Sequence, residues 1–324
     1  MQTDPITTVS AVVIGRNEGP RLETCLRALR RQIDRVVYVD SGSDDGSVAL
    51  ARELGAEVVA LDMSIPFTAA RARNAGCARA TALFPETRFV QFIDGDCELV
   101  AGWMPAGVAE LAETPDLAAV CGRVRERHPE VSLYNRILDE EWDGPAGDVT
   151  HCGGIALMRR SMFETVGGFR EDLIAGEEPE LCLRLRRQGW SVRRLPRDMT
   201  LHDAAMTRFS QWWRRTTRAG YTYGQGVALH GASAERYRIP ERRRALLWGI
   251  AVPAGVVLAG VVAFPWGLLL AAIWPLQIWR MTRRGMSLPG AVMNVLGKFP
   301  EAWGVLRYWR DRMTRRKAGL IEYK

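Results

Sequence analysis

Short apolar runs alternate with helix-period stripes along roughly the first hundred residues. Residues 9–14 (VSAVVI) read as a buried strand. Leu22, Cys25, Leu26 and Leu29 follow at spacings of three and four, which places them on one face of a helix. Residues 36–39 form a second strand, 47–54 a helix, 58–60 a third strand, 67–82 an Ala/Arg-rich helix and 89–93 a fourth strand. This alternation predicts a parallel, doubly wound α/β sheet. Ligands of such sheets bind beyond the carboxyl ends of the strands, so the polar residues after each strand carry the interest.

The pattern changes toward the C-terminus. Residues 245–279 are 35 consecutive positions without a charge, more than the ~20 that cross a bilayer as a helix. Pro253, Pro265 and Pro275 interrupt the run, and Phe264-Pro265-Trp266 near its middle reads as a turn. Arg242, Arg243 and Arg244 precede it, and Arg280, Arg283 and Arg284 follow it. By the positive-inside tendency both flanks are cytoplasmic, which a hairpin of two helices satisfies and a single span does not. The second arm, 266–279, is short for a full crossing, so a re-entrant hairpin is a variant of the same reading; an apolar subdomain buried in the protein is the alternative. Further on, Val292, Leu296, Phe299, Trp303, Leu306, Trp309 and Met313 repeat at helical spacing among Lys298, Arg307, Arg310, Arg312, Arg315, Arg316 and Lys317. That combination predicts a basic amphipathic helix in a lipid interface, kinked or divided at Pro300; the alternative is a packing helix with a solvated basic face. The expected organisation is one domain over 1–235 and a membrane-associating helical region over 236–324.

Charge sharpens this division. The net charge of +7 hides a split: residues 1–204 hold 24 Lys+Arg and 32 Asp+Glu, a balance of −8, whereas 205–324 hold 20 and 5, a balance of +15. Such a tail suits an anionic surface, either lipid or nucleic acid, and the long apolar run favours membrane lipid over nucleic acid. With 47% hydrophobic and 25% charged residues the chain is globular rather than disordered. Six cysteines (Cys25, Cys77, Cys97, Cys121, Cys152, Cys182) lie 20 or more residues apart with no CxxC pair. That spacing disfavours a zinc ribbon, a thioredoxin-type motif and a dense disulfide scaffold, and implies reduced thiols in the cytosol. The N-terminus lacks a basic region followed by an apolar run, so no secretory signal is expected there.

The strand ends carry the candidate chemistry. Gly15-Arg16-Asn17-Glu18-Gly19 follows strand one; it is no GxGxxG, and no Walker A lysine occurs, which removes dinucleotide and P-loop readings. Asp94-Gly95-Asp96 sets two carboxylates at the end of strand four, suited to Mg²⁺ or Mn²⁺ on a diphosphate. Asp40 ends strand two and suits a base or ribose; an Asx turn opening the next loop is its structural alternative. Arg73, on a helix of small residues, has the geometry to grip a phosphate, whereas Arg71 reads as a surface arginine. In Gly176-Glu177-Glu178-Pro179-Glu180-Leu181, Pro179 fits a first helical turn, whose partial positive charge keeps the neighbouring carboxylates ionised and able to serve as a general base.

Taken in order these segments resemble the family 2 glycosyltransferases of GT-A fold, over about residues 7–215. Val12-Val13-Ile14-Gly15-Arg16-Asn17-Glu18 resembles the family's first strand with its Asn-Glu, and residues 37–47 (VYVDSGSDDGS) its VDSGSxDGT segment. Ala72-Arg73-Asn74-Ala75-Gly76 resembles its ARNxG, and Asp94-Gly95-Asp96 its metal motif. Gly153-Gly154-Ile155-Ala156-Leu157-Met158-Arg159-Arg160 with Gly167-Gly168-Phe169 resembles the acceptor-side strand and turn, and Glu177-Glu178-Pro179-Glu180-Leu181 the base motif. The resemblance implies an inverting, metal-dependent transfer from a nucleotide-sugar donor. Asn17, Glu18, Asp40, Arg73, Asn74 and Asp94 would lie on the donor side and Gly153 and Gly154 on the acceptor side. Asp96 would bind Mg²⁺ or Mn²⁺, with His202 as a further metal or phosphate contact. Glu178 would occupy the base position, where the family usually has Asp, and Glu177 stays open as the base. Gln211-Trp212-Trp213-Arg214-Arg215 partly resembles the QxxRW signature of processive polysaccharide synthases, with Trp212 and Arg215 as acceptor-side candidates; Trp is missing at the fifth position.

These features imply a transferase at the cytosolic face of the inner membrane, acting on a glycan or polyprenyl-linked acceptor in envelope or exopolysaccharide assembly. The competing readings are a processive synthase, a sugar-phosphate nucleotidyltransferase (lacking its Gly-rich basic loop after strand one), a basic nucleic-acid-binding protein and a non-catalytic scaffold.

Overall fold

A computed structural model describes residues 5–315, which fall into two compact units: residues up to 129 with 141–205, and 130–140 with the residues from 206 onward. In the first unit a short 3₁₀ turn, Pro5–Thr8, leads into β1 (Val9–Gly15), α1 (Pro20–Arg30), β2 (Val36–Asp40), α2 (Ser47–Glu53), β3 (Glu57–Ala60), α3 (Ala69–Leu83) and β4 (Phe89–Asp94). The chain continues through β5 (Cys97–Leu99), α4 (Trp103–Glu113), β6 (Leu117–Glu126), α5 (Leu133–Trp142), β7 (Gly147–Asp148), β8 (Ala156–Arg159), α6 (Arg160–Thr165), α7 (Glu177–Arg187) and β9 (Ser191–His202). The greater part of α5 belongs to the second unit.

The sheet has nine strands in the order β3-β2-β1-β4-β8-β6-β9-β5, with β7 paired to β9. The β3-β2-β1-β4 half is parallel, as the strand–helix alternation predicts. Its central strands are apolar because helices cover both faces: Val12, Val13, Val37, Val39 and Phe92 are fully buried. Beyond β4 the sheet is mixed: β8 runs antiparallel to both β4 and β6, β6 and β9 are parallel, and β5 is antiparallel to β9. The glycine of the Ala72-Arg73-Asn74-Ala75-Gly76 segment has a packing cause. A Cβ on Gly76 would stand 2.3 Å from Val12 Cγ1 and 2.8 Å from Val39 Cγ2, so α3 lies against β1 and β2 only because Gly76 has no side chain.

The second unit is helical: α8 (Phe209–His230), α9 (Ile239–Leu246), α10 (Val252–Val262), α11 (Ile273–Thr282) and α12 (Leu288–Met313). Within it the 130–140 segment is fastened by Ser132 Oγ donating to the Met206 carbonyl at 2.5 Å and by Asn135 Oδ1 accepting from Met206 N at 3.0 Å. α9 and α10 join through a π-helical stretch, Leu247–Ala251, into one 24-residue apolar helix of which 6% is buried in its most apolar window. The chain reverses at residues 263–265, where the Phe264–Pro265 bond is cis, and returns through a 3₁₀ stretch, Trp266–Ala272, into α11. The arms touch at glycines: a Cβ on Gly267 would lie 1.9 Å from the Ala259 carbonyl, and one on Gly260 2.8 Å from Leu268. The apolar hairpin and its turn therefore stand where the uncharged run and its prolines predict.

One of the two outcomes expected at Pro300 of α12 is corrected. Pro300 does not divide it; the helix is continuous over 26 residues. The predicted apolar stripe is exposed at Leu296, Trp303, Leu306, Trp309 and Met313, so it is not the packing face that the alternative reading of a packing helix requires. The buried face carries Ala291, Gly297, Ala302 and Gly304 among Met293, Val295 and Val305. A Cβ on Gly304 would meet the Thr217 carbonyl at 2.1 Å and one on Gly220 the Glu301 carbonyl at 2.0 Å, so glycines let α8 and α12 approach backbone to backbone. Arg315 follows the helix, whereas Arg316 and Lys317 lie outside the described residues.

Candidate active site

The carboxyl ends of β1, β2 and β4 are neighbours in register: Gly15 pairs with Asp40 and Ile14 with Asp94. The turn after β4 folds back on β1 through Gly95 N donating to the Ile14 carbonyl at 2.8 Å. Asp94 is the more open of the two carboxylates, with 38% of its side chain exposed. Arg73, on the first turns of α3, reaches it with Nη2 at 2.8 Å and reaches Glu177 Oε1 with Nη1 at 2.5 Å. Burial alone would pull the Arg73 pKa down; the charges of Asp94 and Glu177 overcome this and raise it, so the guanidinium stays charged.

Asp96 points the other way and is 4% exposed. His202 ends β9 opposite Cys97 of β5 and Glu126 of β6, so three strands deliver it to the carboxylate. His202 Nε2 lies 3.4 Å from Asp96 Oδ2 and Nδ1 lies 3.6 Å from Glu126 Oε2, with the Trp142 ring edge-on at 4.9 Å. The Glu126 carboxylate behind the ring favours a proton on Nδ1 and leaves the Nε2 lone pair facing Asp96. An oxygen and a nitrogen 3.4 Å apart both reach one cation at about 2.1 Å. A carboxylate–imidazole donor set fits Mn²⁺ better than Mg²⁺, which prefers oxygen alone. The Cys97 thiol joins the group, donating to Asp96 Oδ1 at 3.4 Å. A cavity of about 200 Å³ opens here, lined by Asp96, Asp203, Arg21 and Arg127 among others.

The remaining donor-side candidates shape loops. Asp40 Oδ2 accepts the backbone N–H groups of Gly42 and Ser43, both at 3.0 Å, and Oδ1 accepts from Tyr38 Oη at 3.2 Å, so the carboxylate holds an Asx turn. Asn17, in the left-handed region at φ 54°, staples that loop to the end of β1: its N donates to Ser43 Oγ and its Oδ1 accepts from Asp44 N, each at 2.9 Å. Glu18 is buried and pairs with Arg21 at 2.8 Å. Asn74 clasps Phe169 from both sides, Nδ2 donating to its carbonyl at 2.8 Å and Oδ1 accepting from its N at 3.0 Å. Arg71 donates to the carbonyls of Asp62, Ile65 and Pro66.

At the N-terminus of α7, Glu178 is 1% exposed. Its Oε1 accepts from Cys152 N at 2.6 Å and from the Cys182 thiol at 2.9 Å, and Oε2 accepts from Gly153 N at 2.9 Å. Gly153 and Gly154 have φ of 93° and 96°; nothing stands within 4 Å of a Cβ on Gly153, and a Cβ on Gly154 would lie 3.4 Å from Arg73 Nη2. The two glycines thus border both Glu178 and Arg73. Trp212 and Arg215 lie on α8 of the second unit, Trp212 buried beside Phe209 at a ring separation of 5.4 Å and Arg215 half-buried.

The structure therefore joins Arg73, Asp94 and Glu177, joins Asp96 to His202, and sets Glu178 at the Gly153–Gly154 turn. Glu126, Cys97 and Trp142, which complete the surroundings of His202, carry no short-range signature; their partners are 60 to 105 residues away along the chain and only strand register reveals them.

The model of glycosyl transferase family 2 matches residues 10–167. A pre-mycofactocin glycosyltransferase of Mycobacterium tuberculosis is 30% identical over 223 residues, 64% of this chain and 45% of that protein, so the chain spans about half the length of this relative. The succinoglycan biosynthesis protein ExoA of Rhizobium meliloti is 24% identical and aligns with 98% of this chain and 99% of its own length. Among solved structures, the mannosyltransferase PcManGT from Pyrobaculum calidifontis, in complex with GDP-Man and Mn²⁺, superposes with a TM-score of 0.59 at 20% identity, covering 90% of this chain and 86% of that one. Residues 10–167 of the chain are therefore a segment of the glycosyl transferase family 2 type.

Proposed function

We propose that the chain is an inverting glycosyltransferase that moves a sugar from a nucleoside-diphosphate donor to an acceptor hydroxyl, with Mn²⁺ or Mg²⁺ as cofactor. The observation that carries this is the convergence of Asp96 and His202 to 3.4 Å beside the Arg73-bridged Asp94 and Glu177. PcManGT, with GDP-Man and Mn²⁺ bound, supports the donor and metal assignments. Asp96 and His202 would hold the cation, which when bound would supply positive charge to offset that of the departing diphosphate. Arg73 fixes Asp94 toward the donor and couples it to the start of α7. Asn17 and Asp40 shape the loop that receives the nucleoside, Glu18 sits behind it, and Asn74 braces the Phe169 turn. Glu178 is the base: its Oε2 exchanges the Gly153 N–H for the acceptor hydroxyl, which enters over Gly153 and Gly154, and takes that proton as the oxygen attacks the anomeric carbon. Glu177 is already committed to Arg73.

The acceptor is a lipid-linked or envelope glycan at the cytosolic face of the inner membrane. Supporting this are the exposed apolar hairpin, the basic residues that flank it, and relatives named for succinoglycan and O-antigen synthesis. α12 lies in the lipid interface through its exposed Leu296, Trp303, Leu306 and Trp309. Trp212 and Arg215 are kept as acceptor-side candidates. Thermal-shift titration with UDP-, GDP- and dTDP-sugars, with and without Mn²⁺, tests the donor reading. Asp96→Ala should abolish the metal-dependent shift, and Glu178→Gln should keep donor binding while losing transfer by about two orders of magnitude or more. Normal turnover in either variant overturns the assigned roles.

A further inference from the structure

A second cavity, of about 300 Å³, lies wholly within the helical unit, between α8, the start of α9 and the end of α12. One side is apolar, with Val227 and Met313; the other presents Arg242 and Arg312, with the rings of Tyr308 and Trp309 between them. Its size is at the lower end for small-molecule sites. Gly224 makes the room: a Cβ there would stand 2.7 Å from the Tyr308 ring.

The charges in this cavity are one-sided. No carboxylate lines it. The acidic neighbours in sequence are engaged by other arginines, Asp311 by Arg310 at 2.8 Å and Arg307 at 3.9 Å, and Glu241 by Arg238 at 3.5 Å. The Arg242 guanidinium sits 5.8 Å from the centre of the Trp309 ring, and its Nε is buried without a hydrogen-bond partner. Arg312 Nη1 donates to Tyr308 Oη at 3.2 Å. Two guanidinium groups, held by aromatic neighbours and facing a half-apolar cavity, match an amphiphile with an anionic head: guanidinium takes phosphate oxygens in a fork, and the apolar side takes the first carbons of a chain. Arg242 also stands three residues before the uncharged 245–279 run, at the root of the apolar hairpin, which is where a lipid head meets a membrane helix.

We propose that this cavity is a binding site for the phosphate head of a membrane lipid, clamped by Arg242 and Arg312. The choice of a membrane lipid as the source of the phosphate rests on the membrane reading above. The site differs from diffuse attraction of a basic tail to anionic membrane, because only two of the many arginines in this unit form it.

The test uses the full chain in nonionic detergent, titrated with dioctanoyl phosphatidic acid and followed by tryptophan fluorescence. Dioctanoyl phosphatidylcholine and inorganic phosphate are the comparison probes. We expect saturable binding of phosphatidic acid, weakened about tenfold by Arg242→Ala and by Arg312→Ala. Arg243→Ala and Arg315→Ala, which remove the same charge from exposed positions outside the cavity, should change affinity less than about twofold. Arg242→Lys should retain part of the binding, which separates loss of the site from loss of fold. Equal losses in all four alanine variants would reduce the effect to general electrostatics. Phosphatidylcholine binding as tightly, or inorganic phosphate competing at similar concentration, would also overturn the assignment. Flotation with vesicles reads the membrane association separately: loss of flotation with micellar binding intact would sink that reading and leave the clamp standing.

Discussion

Replacing Arg73 by Met keeps most of its volume and deletes the charge that Asp94 and Glu177 share. The two arms are unequal. Glu177 keeps 10% of its side chain exposed and gains a 2.5 Å contact, whereas Asp94 keeps 38% and is partly served by water. Orphaning a buried carboxylate costs about 3–5 kcal/mol; the Asp94 arm adds little because solvent screens it. At about 2–4 °C per kcal/mol for a unit of this size, Arg73→Met should lower the unfolding midpoint by about 6–20 °C. Adding Glu177→Gln removes the stranded charge, so the double variant should recover about half of the loss, a coupling of about 2 kcal/mol between the two positions. The assay is thermal unfolding of the full chain in detergent, with mid-range far-UV signals compared across the four members of the cycle. A shift below about 2 °C for Arg73→Met, or strict additivity in the cycle, would show that the bridge carries no energy and that the position of Arg73 is incidental.

Two other expectations follow from contacts and burial. Gly76→Ala should destabilise by about 1–3 kcal/mol through the clash with Val12 and Val39, and Val12→Ala should restore part of that; a neutral Gly76→Ala in denaturant titrations would contradict the packing account. Burial, followed by the Glu164 charge, pushes the Cys77 thiol up to about 11. For Cys182 a hydrogen bond with Cys152 pulls downward, but burial and the Glu178 charge push the thiol up to about 11 as well. The folded state therefore keeps protons that unfolded thiols release near pH 9, so stability is full below that pH and falls between about 9 and 11. An unfolding midpoint that stays flat from pH 8 to 10 would refute this, and Cys77→Ala should flatten part of the slope.

The parallel half of the first unit was legible because its strands are central and covered on both faces, which writes them as continuous apolar runs ending in polar turns. Asp94-Gly95-Asp96 was legible for the same reason. The surroundings of His202 were not: nothing near residue 126 or 142 announces a partner at 202, and the register of β5, β6 and β9 is set in a mixed part of the sheet where the β6–β9 pairing shifts along its length. The packing face of α12 was not legible, because large apolar residues at helical spacing normally mark the buried side. Here Gly220 and Gly304 let the backbones of α8 and α12 approach closely, and Leu296, Trp303, Leu306, Trp309 and Met313 are left outside. The role of Asn74 was likewise hidden, since a side-chain amide clasping a distant backbone leaves no periodicity to read.

The late position of β9 in the chain has a consequence during synthesis. A nascent polypeptide emerging from the ribosome exposes the carboxylates at 94 and 96 long before residue 202 is made. The imidazole reaches Asp96 only when β9 docks between β5 and β6. A chain that stops before β9 thus has the turns after β1, β2 and β4 but lacks the Asp96–His202 pair.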